Sequence, residues 1–162
     1  MSRSRLLSFG WLRSRAARTL AWEKHYHAAT QAYRDGRMAD AEGECVSAVR
    51  EADWFDEGDM RLVVSLSTLA SLYRFQGRDA EAEPLCLRVL ALKERSLGPE
   101  HPNVAATLKD LVEIYRALGK TAEAESCHAR AFAILERAIG PDLPELSESL
   151  SKSAILGPEE PR

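Results

Sequence analysis

No run of apolar residues in this chain approaches the ~20 needed to cross a bilayer, which excludes a membrane-spanning helix. Cysteine is scarce and odd in number. Cys45, Cys86 and Cys127 cannot all be paired in a disulfide framework, and with no secretory segment ahead of them they argue for a reducing compartment. There is no glycine-rich phosphate loop and no nucleophile elbow. Metal-ligand spacing is missing as well: His25 and His27 lie two apart, on different sides of any helix, and Cys127 and His128 are adjacent with no second pair at zinc-site spacing. His101 sits in the loop "GPEHPN" with no visible partner for proton transfer. These absences predict a non-enzymatic chain with no catalytic residue, no metal, no cofactor and no small-molecule substrate.

What is present is a repeat. Residues 62–103 and 104–145 align without a gap, and 16 of those 42 positions are identical. Such a period is the mark of stacked helical hairpins. The matches fall where a hairpin needs them: Leu66/Leu108, Leu69/Leu111, Tyr73/Tyr115, Gly77/Gly119, Ala82/Ala124, Gly98/Gly140, Pro99/Pro141 and Pro102/Pro144. Leu66, Leu69, Ala70 and Tyr73 recur at helical spacing and make one apolar face, with Ser67, Ser71 and Arg74 on the other. Gly77 breaks that helix. A second apolar series, Ala82, Leu85, Cys86, Val89, Leu92 and Leu97, then runs to Gly98-Pro99, a strong helix ending.

A degenerate copy lies upstream, where "YRDGRMADAEGECVSAV" (33–49) repeats the layout of "YRFQGRDAEAEPLCLRVL" (73–90), with Gly36, Ala41 and Cys45 each 41 residues before Gly77, Ala82 and Cys86. Cys45 and Cys86 therefore face their first helices as buried thiols. Gly43 in the upstream second helix costs about 1 kcal/mol against Ala, so this copy is the softest of the three. Downstream, Leu146, Leu150 and Leu156 follow Val104, Leu108 and Ile114 by 42 residues, within a polar run that suits a terminal covering helix. The acidic clusters Asp40/Glu42/Glu44, Glu81/Glu83 and Glu123/Glu125 open each second helix and read as solvated charge favoured by the helix dipole.

With Leu69, Ala70, Tyr73, Ala82 and Cys86 in place, the chain resembles the tetratricopeptide repeat. The phrases "LASLYRFQGRDAEAEPL" and "LGPEHPNVAATL" resemble more narrowly the 42-residue variant of kinesin light chains, over about residues 22–156. The resemblance implies an all-α, right-handed α-solenoid: hairpins at about 22–57, 62–98 and 104–140, a capping helix over 144–156, and a disordered tail at 157–162. It also implies a protein or peptide partner bound on the concave side. Cys86 and His128 depart from the pattern where it prefers a large aromatic, and Ser67, Thr68, Lys109 and Asp110 stand in place of the paired asparagines of the kinesin light chain groove.

Charge is unevenly placed. Residues 1–22 hold Arg3, Arg5, Arg13, Arg15 and Arg18 and no acid, so that of a net charge of −3 the remainder carries −8. Phe9, Leu12, Ala16 and Leu20 share one helical face. Segment 1–21 is thus compatible with a capping helix on the first repeat, a disordered extension, a mitochondrial presequence if the source is eukaryotic, or a membrane or nucleic-acid contact through residues 1–20. Arginines interrupt its apolar stretch, against a secretory signal, and the expected location is the cytoplasm.

The faces of the first helices turned away from their partners define the candidate site. They carry Tyr26, Thr30, Tyr33 and Arg34 from the first repeat, Ser67, Ser71, Arg74 and Phe75 from the second, and Lys109, Glu113, Arg116 and Ala117 from the third. Arg74 and Arg116 are in register, with Tyr26, Tyr33 and Phe75 as aromatic anchors. The matching ligand is an acidic peptide with one bulky apolar residue. The function expected is a protein-interaction adaptor, the alternatives being a recruiter that binds through the arginine-rich start or a regulatory subunit of an enzyme complex.

Overall fold

The computed structural model describes residues 3–56 and 58–139, with side chains from residue 14 onward. The expected capping helix 144–156 and tail 157–162 lie outside the described residues, as do the side chains of Phe9 and Leu12. The described residues form six α-helices and no strand: α1 Arg3–Arg34, α2 Met38–Ala52, α3 Met60–Phe75, α4 Asp79–Leu97, α5 Pro102–Ala117 and α6 Thr121–Ile139. They pack as three successive hairpins, each laid on the one before, which is an α-solenoid.

The hairpins close by one recurring device. The glycine after each first helix adopts positive φ, +71° at Gly77 and +70° at Gly119, which a side chain would strain. The next N–H then reaches back five residues, from Arg78 to the Tyr73 carbonyl and from Lys120 to the Tyr115 carbonyl, at 2.8 Å in both. Arg37 does the same to Ala32 at 2.9 Å. At the start of α5, His101 is the N-cap, its Nδ1 accepting from the Asn103 N–H, and Pro102 takes the first helical position, where no N–H is needed.

Leu66 and its repeat equivalent Leu108 are fully buried, as are Leu111, Ile114 and Ile134. The repeat also recurs in the buried polar groups. Ser65 accepts from Trp22 Nε1 at 2.8 Å and Thr107, 42 positions later, accepts from Lys93 Nζ at 2.8 Å, while both hydroxyls donate to carbonyls in the preceding turn.

α1 passes without a break through residues 21 and 22, where the repeat alignment begins. Two arginines of the basic segment turn onto the α2–α3 connection. Arg18 lies over the Trp54 ring at 3.8 Å and pairs with Glu51 at 3.2 Å, and Arg15 pairs with Asp56 at 3.6 Å. Arg61 ties the same connection together: it binds Asp59, donates to Thr19 of α1 and covers the buried Phe55 ring at 3.5 Å. The guanidinium of Arg61 holds the Asp59 carboxyl below its ordinary range.

Candidate functional site

The groove face is built by α1, α3 and α5, and it divides into two halves. Between α1 and α3 the side chains are short hydroxyls and aromatics. Ala29, Thr30, Tyr33, Cys45, Thr68, Ser71 and Leu72 line a crevice of about 230 Å³. Its threonine hydroxyls are spent on their own helices: Thr30 Oγ1 donates to the Tyr26 carbonyl at 2.7 Å and Thr68 Oγ1 to the Val64 carbonyl at 2.8 Å. What faces the crevice is therefore largely methyl, ring and sulfur surface. Burial pushes the Cys45 thiol up to about 11, with the charges of Glu42 and Glu44 adding to the effect, so it is a neutral part of the wall. At the rim, Tyr33 and the exposed Phe75 meet edge to face at 6.0 Å, and Tyr26 stacks on Trp22 at 5.1 Å.

Between α3 and α5 the same register positions are ionic. Arg74 bonds Glu113 and lies 3.7 Å from Asp110 and 4.0 Å from Asp79. It is thus a bridge between repeats, and its charge is already matched. Lys109 and Arg116 are exposed on α5, and Arg34 on α1; among the described residues, no side-chain hydrogen bond or ion pair engages any of the three. Of the candidate residues, Thr30, Tyr33 and Ser71 gather around the crevice with Phe75 at its edge. Arg74 gathers with Glu113. Ser67 is half-buried on α3, and Arg116 stands at the far end of the stack.

A second set of residues was hidden in the acidic clusters. Glu42 binds Arg78 at 2.6 Å and Glu83 binds Lys120 at 2.7 Å, each linking one hairpin to the next. Arg78 and Lys120 also lie over the rings of Tyr73 and Tyr115, at 4.2 and 5.6 Å. These glutamates are inter-repeat staples, and the reading of the clusters as solvated charge is corrected for them. Glu44 likewise meets His25 Nδ1 at 2.6 Å and Glu81 meets Arg78 at 2.5 Å. The signal was available: both staples pair a residue just after the hairpin glycine with a glutamate one repeat earlier. A second pair of staples, Arg88 to Asp53 and Arg130 to Glu94, obeys the same register.

The family pattern described as Tetratricopeptide repeat matches residues 61–137. These residues are tetratricopeptide repeats. Among solved structures the fold is shared with BtubC (BKLC) from P. vanneervenii, at 16% identity and a TM-score of 0.68 over 90% of this chain and 68% of that one. It is shared too with nearly identical TPR-like repeats from Podosopora anserina, named after the kinesin light chain, at 23% identity and a TM-score of 0.63 over 82% of this chain. This chain spans 64% of that second protein. No curated protein sequence matches this one closely enough to count as a relative. Tetratricopeptide repeats generally mediate contacts between proteins and typically serve as scaffolds rather than catalysts. Among the described residues, no helix is long and apolar enough to cross a membrane.

Proposed function

We propose that this chain is a non-catalytic adaptor that holds a segment of a partner protein on the groove face, with one bulky apolar side chain of the partner seated between α1 and α3. The crevice under the Tyr33–Phe75 pair carries this reading, because its threonine hydroxyls are already satisfied and most of its wall gains by burying apolar surface. Ser71 and the Tyr33 hydroxyl at the mouth supply the polar contacts that would orient a peptide. An acidic residue of the partner would fall on Lys109 rather than on Arg74, whose charge Glu113 and Asp110 already meet. Arg15 and Arg18 are turned onto the α2–α3 connection, so two of the five N-terminal arginines are occupied within the fold.

The test is to pan a displayed peptide library on the full chain and again on Ser71→Phe, which plugs the crevice from its exposed rim. The expected result is a family of peptides sharing one large aromatic or aliphatic residue and lost on the plugged variant, with circular dichroism unchanged. Peptides that share no bulky residue, or that bind Ser71→Phe equally well, would sink the proposal.

A further inference from the structure

The interior of the stack defines what a seat for the next hairpin looks like. On the second hairpin, Ala82 and Cys86 form a floor against which Leu111 and Tyr115 of α5 pack. Arg74 at one side takes Glu113 and Asp110, and Glu83 at the other takes Lys120. Moving 42 positions along, the third hairpin presents Arg116, Ala124, Glu125 and His128 at these places, and with Thr121 they line an open hollow of about 450 Å³. Both charges of the seat are present, Arg116 without an ion pair among the described residues and Glu125 exposed on the other side.

We infer that this hollow is a second interaction site, separate from the groove, and that it takes a helix of a partner protein. The charge pattern states what the helix must carry: an acidic residue to meet Arg116, a tyrosine-sized ring to cover His128 beside the buried Ala124, and, about five residues after the ring, a lysine or arginine to meet Glu125. Those are the roles of Glu113, Tyr115 and Lys120 one repeat earlier. His128 in place of Cys86 makes the floor more polar than that of the interior seat and favours a ring with a hydroxyl. Two other occupants fit the pattern less well. Residues 144–162 of this chain keep the apolar register with Leu146, Leu150 and Leu156, but they offer Lys152, Ile155 and Gly157 where α5 offers Asp110, Glu113 and Tyr115, and so bring neither an acid to Arg116 nor a ring to His128. A second copy offers Arg37 to Glu125, but its α1 presents Ala28, Gln31 and Ala32 where the interior seats receive Leu69, Leu72 and Tyr73 or Leu111, Ile114 and Tyr115.

The chain's own α5 supplies the probe. A fluorescein-labelled peptide copying residues 102–120 is titrated with the full chain and followed by anisotropy. Saturable binding is expected, weakened at least about tenfold by Glu125→Lys and recovered when the peptide carries Lys120→Glu, which isolates that one charge pair. Ser71→Phe should leave it unchanged, since the groove lies elsewhere. Absence of saturable binding, or binding indifferent to Glu125→Lys, overturns the inference. So does concentration-dependent self-association of the chain that Arg37→Glu abolishes, because the seat would then belong to a second copy.

Discussion

Where α3 meets the first hairpin, Tyr33 stands against Phe75 and a crevice is left beneath them. Where α5 meets the second, Arg74 occupies the position of Tyr33 and binds Glu113 and Asp110, which occupy the positions of Ser71 and Thr68. The floors of the two junctions are alike, with Cys45 and Cys86 buried in equivalent places and the staples Glu42–Arg78 and Glu83–Lys120 beside them. The difference is one of side-chain length. Short hydroxyls that bond their own helix leave space on the groove face, whereas long charged side chains reach across and close it. One repeat can thus hold the stack together at each described step and still leave the first junction open on its outer face.

The largest effect that would break this comparison lies at the closed junction. Leu111 is fully buried between α5 and the second hairpin, so Leu111→Ala should lower unfolding free energy by about 2–5 kcal/mol in urea titration, while Cys45→Ala at the open junction should cost about 1 kcal/mol. Comparable losses at the two places would mean that the first junction is packed as tightly as the second. Pro84 lies inside α4 on its exposed side, where it denies Ala80 a backbone partner; Pro84→Ala should stabilise by about 1–3 kcal/mol in thermal melts. No gain there would show that α4 has already adapted to the ring.

A sharper test converts one junction into the other. Tyr33→Arg with Ser71→Glu should close the crevice, weaken a groove-selected peptide at least about tenfold and leave stability within about 1 kcal/mol, since the new pair is partly exposed. If the peptide still binds, side-chain length does not decide where the groove is open. Gly43 softens the second helix at the open junction, and a Cβ there would meet nothing within 4 Å, so Gly43→Ala should add about 0.5–1 kcal/mol without touching peptide affinity. The smallest effect concerns the two floor thiols. Burial raises Cys45 and Cys86 to about 11 from an ordinary 9.0, so the folded chain keeps protons that the unfolded chain releases. That share of stability is complete below pH 9 and fades as pH climbs toward 11. Alkylation followed by mass spectrometry at pH 8 should label neither thiol in the folded protein, and rapid labelling of Cys45 alone would show the first junction opening.

Much of this was written in the primary structure. The 42-residue register located the helices α3–α6, the hairpin glycines and the buried Leu66/Leu108 positions, because each is decided by contacts within one repeat or with its neighbour. The residues that share the outer face of the first helices could be named for the same reason. Their states could not. Arg74 and Arg116 look identical in register, yet one is matched by Glu113 and the other has no such partner among the described residues. Glu42 and Glu83 looked like solvent-facing charge, although their spacing to Arg78 and Lys120 marks them as staples in retrospect.

The sequence by itself determined the repeat, the all-helical class, the turn positions and which faces are apolar, since periodicity and backbone conformation are local properties. Only the tertiary structure decided which charges are already matched, which hydroxyls are spent on their own backbone, where a crevice survives between α1 and α3, and that Arg15 and Arg18 lie on the α2–α3 connection. Those outcomes depend on how far side chains from different repeats reach toward one another across a packed junction, and that distance is set by the stack and not by the spacing along the chain.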